Sequence, residues 1–139
     1  MLDVNDDNID LFNKKIKMEP SLIMYYATDC FYCKQIKDTW EHIGQELENK
    51  FFVAKIERNY KHRIERNDKI EGVPTIFAIY RKKKYQYNGN RTANDLLKFA
   101  NAKLNKYIKK KRRRKKSSTR TKKRKKRKKR TRGRISNRQ

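Results

Sequence analysis

The strongest constraint on how this chain folds is the distribution of charge along it. Of the 41 Lys and Arg residues, 22 lie in residues 105–139, which contain no Asp or Glu, whereas the rest of the chain has 19 basic and 15 acidic residues. Side chains of one sign repel one another, and this basic segment has almost no apolar residues to bury. We therefore predict a folded domain over residues 1–107 and a disordered polybasic tail over residues 108–139.

The first hundred residues alternate between helical and strand patterns. The periodicity of apolar residues predicts helices over 7–17, from just after Cys30 to Leu47, and over 93–107, a short helix within 59–70, and strands over 21–27, 51–56, 75–80 and 85–89. Alternating strands and helices pack as a central sheet with helices on both faces, and a closing hairpin adds antiparallel strands. The expected architecture is therefore α/β, with a mixed four-stranded sheet flanked by helices.

The chain shows no pattern of secretion or membrane insertion. Its first residues, MLDVNDDNIDLFNKK, are acidic and polar, whereas a secretory signal has a basic start and then an apolar run. No stretch approaches the roughly 18–20 apolar residues that a membrane span needs. We expect a protein that is kept in a reducing compartment, where cysteines are more often catalytic, redox-sensing or metal-binding than joined in a permanent disulfide.

The two cysteines, Cys30 and Cys33, lie in the stretch YYATDCFYCKQIKDTW. They follow a predicted buried strand and open a predicted helix, where residues three apart share a face and their sulfurs can reach bonding distance. The positive end of the helix favours a thiolate, as do Lys34 and Lys37, whereas Asp29 acts in the opposite direction. We expect Cys30 to be the attacking nucleophile and Cys33 the resolving thiol, with their redox-active disulfide serving in place of any other cofactor.

Two other interpretations of the cysteine pair stay open at this point. A zinc site needs two further ligands, but His42 and His62 lie twenty residues apart, which does not match the spacing of a zinc finger. We therefore predict no metal. The other interpretation is that both cysteines simply pack in the core, as buried free cysteines often do.

Several motifs of the body resemble the thioredoxin superfamily over roughly residues 8–104. LIMYYATDCFYC resembles the strand, turn and CxxC motif of thioredoxins and protein disulfide isomerase domains, and KIEGVPTIFAIY resembles the loop and strand that carry a proline facing the disulfide. YNGNRTANDLLKFANAKL resembles the last strand and closing helix, in a form closer to the isomerases. The resemblance implies a thioredoxin fold and a protein disulfide oxidoreductase that acts on protein thiols and disulfides.

The resemblance also implies roles for three residues outside the CxxC motif. The bond between Val73 and Pro74 is expected to be cis, and the backbone of Val73 is expected to pair with an extended substrate. The alternative for Pro74 is an ordinary turn proline that precedes a strand. FVAKIERN resembles the next strand of the family, which places Lys55 beneath the active site, where it tunes charge.

Two features depart from the family pattern. Phe31 and Tyr32 stand between the cysteines in place of Gly-Pro or Gly-His, so the thiolate lacks the help of a histidine. Met24 replaces a buried acid that assists proton transfer to the resolving cysteine, which leaves that role to water, Lys55 or Glu57. We also expect Phe31 and Tyr32 to be exposed, and we hypothesise that their rings form an apolar rim that grips unfolded or extended polypeptide.

Two basic blocks, KKKRRRKK at 109–116 and KKRKKRKKR at 122–130, dominate the tail. They predict binding to nucleic acid, because neutralised phosphates release counterions. No aromatic residue follows Ile108, so bases have nothing to stack on and the predicted binding is non-specific. The predicted nucleic-acid-binding residues are Lys109, Lys110, Lys111, Arg112, Arg113, Arg114, Lys115, Lys116, Lys122, Lys123, Arg124, Lys125, Lys126, Arg127, Lys128, Lys129 and Arg130.

The same blocks match the spacing of a bipartite nuclear localisation signal, and the sequence leaves an import address and a nucleic-acid tether both open. A solubilising extension is the simpler alternative. Thioredoxin-like proteins with a polybasic extension and no signal peptide are similar to those of large DNA viruses that assemble in the cytoplasm. This similarity implies a protein of the nucleus or cytoplasm, including a virion or virus factory.

Together these observations predict a thiol–disulfide oxidoreductase that a nucleic-acid-binding tail localises. The rival prediction is a non-enzymatic nucleic-acid-binding or packaging protein that uses the fold as a scaffold. The sequence leaves the protein substrate, the redox direction and the oligomeric state open.

Overall fold

The computed structural model describes residues 1–108. The strands are β1 (Leu2–Asp3), β2 (Ser21–Tyr26), β3 (Phe52–Glu57), β4 (Thr75–Tyr80) and β5 (Lys83–Gln86). The helices are α1 (Ile9–Met18), α2 (Phe31–Leu47) and α3 (93–108), with a 3₁₀ helix at Arg58–Arg63 between β3 and β4. The basic blocks at 109–116 and 122–130 lie outside the described residues, and the predicted division at residue 107 stays a prediction.

The strands form one mixed sheet in the order β1-β3-β2-β4-β5. The central strand β2 pairs in parallel with β3 and antiparallel with β4, and β5 continues the antiparallel side. The α/β architecture is therefore confirmed, with one more strand than the four predicted. The additional strand, β1, is only two residues long, and no alternating pattern in the sequence marks it.

The closing hairpin is tighter than the sequence predicts. Its second strand, β5, begins at Lys83, whereas the prediction places it at 85–89. Tyr80 pairs with Lys83 across a turn in which Arg81 has a φ of 55°. Glycine adopts this left-handed conformation readily, so an arginine at this position gives no indication of it in the sequence.

Both faces of the sheet are covered by apolar side chains. On one face, α1 packs Phe12 and Ile16 into a cluster with residues of β2, β3 and β4 such as Ile23 and Ile56. Along α2, the predicted stripe is buried throughout, because its spacing of three and four residues keeps it on one side of the helix. The stripe consists of Cys33, Ile36, Trp40, Ile43 and Leu47.

A buried carboxylate anchors the irregular loop that leads from the 3₁₀ helix into β4. Asp68 is 2% exposed and accepts hydrogen bonds from Tyr25 Oη at 2.7 Å, from Arg66 at 2.9 and 3.0 Å, and from Lys84 Nζ at 3.2 Å. A buried charge is stable only with such partners. The loop is thereby fixed to β2 through Tyr25 and to β5 through Lys84.

Protonation of Asp68 is disfavoured in the folded chain. Burial raises the pKa of its carboxyl group, but hydrogen bonds from Arg66 and Tyr25 outweigh that effect and lower the pKa from 3.8 to about 2. Burial, together with the hydrogen bond to Asp68, raises the pKa of Tyr25. The network therefore consists of an ionised carboxylate and a neutral phenol at neutral pH.

We expect Asp68→Asn to lower the free energy of unfolding by about 1.5–3 kcal/mol in urea titrations at neutral pH, because a neutral amide loses the charge-assisted hydrogen bonds. The folded pKa lies below the unfolded one, so this stabilisation is complete above about pH 3.8 and disappears as the pH falls toward about 2. The two proteins should therefore converge in acid. Asp38→Asn, on the exposed surface of α2, is the matched control, and an equal effect at both positions contradicts the prediction.

Candidate active site

The two cysteines lie at the junction between β2 and α2. Cys30 is the N-cap residue of α2, and its Sγ accepts a hydrogen bond from the backbone N–H of Cys33 at 3.2 Å. Both cysteines are free thiols; Cys33 is 5% exposed, whereas Cys30 is half-buried. The structure thus brings together one accessible sulfur and one buried sulfur at the start of a helix.

The loop before β4 reaches the same place. Because β4 runs antiparallel to β2, with Thr75 opposite Tyr25, the residues that precede β4 lie beside the end of β2. The Cys30 thiol donates a hydrogen bond to the carbonyl oxygen of Val73, with an S···O distance of 3.7 Å. The bond between Val73 and Pro74 is cis, as the resemblance implied.

The two thiols differ in acidity. Partial burial raises the pKa of Cys30, but hydrogen bonds from the Cys33 thiol and from the N–H groups of Cys33 and Tyr32, together with the charge of Arg91, outweigh it and lower the pKa below its usual value. Burial raises the pKa of Cys33 to about 11, and its hydrogen bond to Cys30 acts in the same direction. Cys30 is therefore the thiol of the pair that ionises first.

Arg91 is a site residue that the sequence analysis missed. Its guanidinium carbon lies 5.6 Å from the centre of the Tyr32 ring, and its charge acts to lower the pKa of both cysteines, although burial keeps the pKa of Cys33 raised. The available signal was the motif YNGNRT, which contains it. The YNGNRT motif alone does not indicate that the loop after β5 reaches the CxxC motif. The sheet topology is needed to show that the two segments meet.

A cavity of about 330 Å³ lies behind the cysteine pair. Cys33, Met24, Trp40 and Lys55 are among the residues that line it. Trp40 Nε1 is buried and has no hydrogen-bond partner among the described residues. Lys55 therefore lines the same cavity as the buried thiol of Cys33.

The carboxylate next to Lys55 comes from β1. Asp3 Oδ2 lies 4.0 Å from Lys55 Nζ, and Asp3 Oδ1 accepts a hydrogen bond from Tyr26 Oη at 3.0 Å. Glu57, a proton carrier considered from the sequence, instead accepts a hydrogen bond from the backbone N–H of Asn59 at 2.7 Å and caps the 3₁₀ helix. Asp3 is thus a second residue near the site that the sequence analysis did not identify.

The two residues between the cysteines point outward. Phe31 is 66% exposed and Tyr32 is 57% exposed, and their rings contact each other edge to face with centroids 5.5 Å apart. Large aromatic rings are rarely this exposed unless they serve an interaction. The accessible side of Cys30 is thus bordered by apolar surface.

Two features are absent from residues 1–108. No group of three or more His, Cys, Asp or Glu side chains in this range is arranged to hold a metal ion. No helix of this range combines the length and the apolar character that crossing a bilayer requires.

The fold and the cysteine pair agree with comparisons to known proteins. The family model described as thioredoxin matches residues 2–102, so the chain belongs to the thioredoxin family. Over 99 residues, or 69% of the chain, it is 31% identical to protein disulfide-isomerase TMX3 of Xenopus laevis. Over 97 residues, or 68% of the chain, it is 28% identical to protein disulfide-isomerase A4 of Rattus norvegicus. The matched parts are 22% and 15% of those two relatives, so the chain spans about a fifth of their length or less.

Solved structures show the same fold. The first thioredoxin domain of mouse protein disulfide-isomerase A4 superposes with a TM-score of 0.55 at 26% identity, covering 76% of this chain and 74% of that one. The J-Trx1 fragment of ERdj5 gives a TM-score of 0.61 at 16% identity, covering 78% of this chain and 51% of the fragment. The predicted thioredoxin fold is confirmed.

We expect a short pulse of iodoacetamide at neutral pH to alkylate Cys30 at least tenfold faster than Cys33, because thiolates react and only Cys30 has a lowered pKa. Peptide mapping by mass spectrometry of the reduced chain measures both rates. A Cys30→Ser variant is the control, and its remaining thiol should react slowly until the pH approaches about 11. Equal labelling of the two cysteines at neutral pH contradicts the assignment of the nucleophile.

Proposed function

We propose that the chain is a thiol–disulfide oxidoreductase that acts on protein substrates through Cys30 and Cys33. The observation that carries this proposal is the asymmetry of the pair, in which an accessible thiol of lowered pKa caps a helix beside a buried thiol of raised pKa. Disulfide exchange needs one thiolate that attacks the substrate and a second thiol that later resolves the mixed disulfide, and this arrangement supplies both. Membership of the thioredoxin family supports the same reaction.

In the first step, the Cys30 thiolate attacks one sulfur of a substrate disulfide. A bond forms between Cys30 Sγ and that sulfur, the substrate S–S bond breaks, and the other substrate sulfur leaves as a thiolate that takes up a proton. The backbone N–H of Cys33, which donates to Cys30 Sγ at 3.2 Å, holds the nucleophile before attack. Val73, whose carbonyl oxygen is 3.7 Å from Cys30 Sγ, is placed to pair with substrate backbone.

In the second step, Cys33 loses its proton and attacks Cys30 Sγ. The Cys30–Cys33 disulfide forms, the mixed disulfide breaks, and the second substrate sulfur leaves. Two electrons and two protons have then passed from the pair to the substrate, and the reverse sequence oxidises a dithiol. No cofactor besides the disulfide takes part in this scheme. We assign Lys55 to tuning this step, because its side chain lines the same cavity as Cys33 and a positive charge favours a nearby thiolate.

The substrate class that fits this site is extended polypeptide. Phe31 and Tyr32 offer an exposed apolar edge next to Cys30, and Val73 and Pro74 border the other side of the sulfur. Unfolded chains expose apolar side chains and free backbone groups. The aromatic border would bind the apolar side chains, and the Val73 border would bind the backbone groups. Small disulfides have neither feature.

We expect Cys33→Ser to accumulate a mixed disulfide between Cys30 and a disulfide-bonded test protein, because the Cys30 thiolate attacks the substrate disulfide and the resolving attack is missing. Cys30→Ser should lower exchange to the background of free dithiol. Non-reducing electrophoresis with intact mass measures the adduct, and the wild-type chain, which should not accumulate it, is the control. Absence of any adduct in Cys33→Ser, with both variants folded, contradicts the proposed function. The potential of the pair in graded glutathione buffers then gives the direction, since thioredoxin-like reductants lie near about −270 mV and oxidants or isomerases near about −120 to −180 mV.

Rates of disulfide exchange also test the apolar rim formed by Phe31 and Tyr32. Phe31→Ser should slow exchange with a peptide disulfide flanked by apolar residues and leave exchange with a small disulfide such as oxidised glutathione unchanged, because only the peptide contacts the ring. An equal change with both disulfides assigns the effect to the chemistry of the cysteines and removes the rim from the proposal.

We propose further that the basic blocks at 109–116 and 122–130 bind nucleic acid without sequence preference and so localise the oxidoreductase in the nucleus or at another site rich in nucleic acid. The support for this part is compositional, namely the 22 basic and no acidic residues of 105–139. The rival function, a scaffold that binds or packages nucleic acid without redox turnover, rests on the same charge.

We expect the logarithm of the affinity for duplex DNA to fall linearly with the logarithm of salt concentration, by about 0.9 for each phosphate contact. Replacing the nine basic residues of 122–130 by Gln in the full chain should make this slope shallower, as measured by fluorescence anisotropy. Cys30→Ser is the control and should bind DNA as the wild-type chain does. An unchanged slope in the Gln variant contradicts the tether, whereas intact binding without measurable exchange by the wild-type chain favours the scaffold.

A further inference from the structure

Tyr32 and Arg91 come from distant parts of the chain and meet beside the cysteine pair. The guanidinium carbon of Arg91 lies 5.6 Å from the centre of the Tyr32 ring, which is within the distance of about 6 Å for a cation–π interaction. Both side chains are exposed, so neither is held in place by burial. Their contact is therefore the interaction that holds the charged end of Arg91 on this side of the site.

The backbone that carries Arg91 is fixed by its neighbours. The N–H of Tyr87 donates to the carbonyl oxygen of Ile76 at 2.8 Å, and its hydroxyl donates to the carbonyl oxygen of Asn90. The ring of Tyr87 also packs against Phe99 of α3, with centroids 4.9 Å apart. The root of the Arg91 side chain is thus immobilised between β4 and α3.

Gly89 permits this arrangement. A Cβ at this position would lie 2.6 Å from Tyr87 Oη and 2.8 Å from Tyr87 Cζ, so a larger residue would displace the ring. On the other side of Arg91, Thr92 Oγ1 accepts a hydrogen bond from the N–H of Asp95 at 3.3 Å at the start of α3. The loop is therefore held by hydrogen bonds on both sides of Arg91, whereas the long Arg91 side chain has several rotatable bonds of its own.

We propose that Tyr32 is a positioning residue whose ring holds the Arg91 guanidinium group beside Cys30 and Cys33. The backbone N–H of Tyr32 acts on Cys30 in every variant, so the proposed effect of the Tyr32 side chain is exerted through Arg91. The inference rests on the proposed function for its biological purpose, since a stabilised thiolate matters for exchange. The charge of Arg91 favours the ionised form of both thiols, and an exposed arginine without a partner spends part of its time elsewhere. Tyr32 increases the fraction of time that this charge is in place.

Other charged side chains near the pair stay constant in the test. Lys34, Lys37 and Lys55 line the cavity beside Cys33, and Asp29 precedes the motif. None of these residues is changed, so a difference between variants reports on Tyr32 and Arg91. The measured quantity is the midpoint of the pH–rate profile of Cys30 alkylation in the reduced full chain, followed by peptide mapping.

Five variants make the test complete. Arg91→Met removes the charge, Tyr32→Leu removes the ring, and the double variant removes both. Tyr32→Phe keeps a ring without the hydroxyl. Arg81→Met is the matched control, since it removes the same charge from another exposed arginine, whose guanidinium carbon lies 5.3 Å from the centre of the Tyr80 ring. Circular dichroism confirms that each variant is folded, which is expected because all three positions are exposed.

We expect Arg91→Met to move the midpoint to higher pH and Tyr32→Leu to move it part of the way. A cation–π contact at an exposed site corresponds to about a two- to fivefold change in the ratio of positioned to free guanidinium. The double variant should match Arg91→Met alone, because the ring has no effect without the charge. Tyr32→Phe and Arg81→Met should keep the wild-type midpoint.

The proposal is overturned if Tyr32→Leu keeps the wild-type midpoint, if Arg91→Met does so, or if the shift of the double variant equals the sum of the single shifts. Alkylation by a small reagent does not require disulfide exchange, so the outcome is independent of the proposed function. A chain with the expected shifts but no mixed disulfide in Cys33→Ser retains the Tyr32–Arg91 pair and loses the oxidoreductase assignment.

Discussion

The antiparallel pairing of β2 with β4 is the constraint on which the site depends. Its register places Tyr25 opposite Thr75, so the chain that leaves β2 toward Cys30 and the chain that enters β4 through Pro74 occupy the same end of the sheet. A shift of one residue would turn the buried side chains of β2 to the wrong face. The hydrogen bond between Cys30 and Val73 is therefore a consequence of sheet register, and neither segment could form it alone.

The two sides of the site have opposite effects on thiol ionisation. On the accessible side, helix N–H groups and Arg91 favour a thiolate at Cys30. On the buried side, Cys33 is kept protonated by desolvation, next to a cavity that Lys55 and Trp40 also line. The carboxylate that interacts with Lys55 is that of Asp3 on the edge strand β1. The position on the central strand β2 where the family has a buried acid is occupied by Met24. The environment of the resolving thiol is thus assembled from three strands and one helix.

Much of this could be predicted from sequence because it is local. The helical stripe from Cys33 to Leu47 and the buried strand before Cys30 follow from the spacing of apolar residues, and Pro74 follows from a motif. The fold followed from their order.

The remainder depends on contacts between distant segments or on backbone geometry without a residue signal. Arg91 and Asp68 are polar residues in irregular loops, and nothing in the sequence around them shows which strand ends they approach. β1 is too short to carry a period, and the turn at Arg81 uses a backbone conformation that its residues do not indicate. Such features become visible only when the register of the sheet is known.

The N-cap position of Cys30 links the chemistry of the site to its thermodynamics. The sulfur that accepts the Cys33 N–H is also the sulfur that would enter the proposed disulfide, and the helix N–H groups and Arg91 favour its thiolate form. Each interaction that favours the thiolate therefore stabilises the reduced, folded chain relative to the oxidised one. The same contacts would therefore raise the reduction potential of the disulfide, as in oxidants whose reduced form is the more stable. The helix start is thus a determinant of redox potential as well as of nucleophilicity.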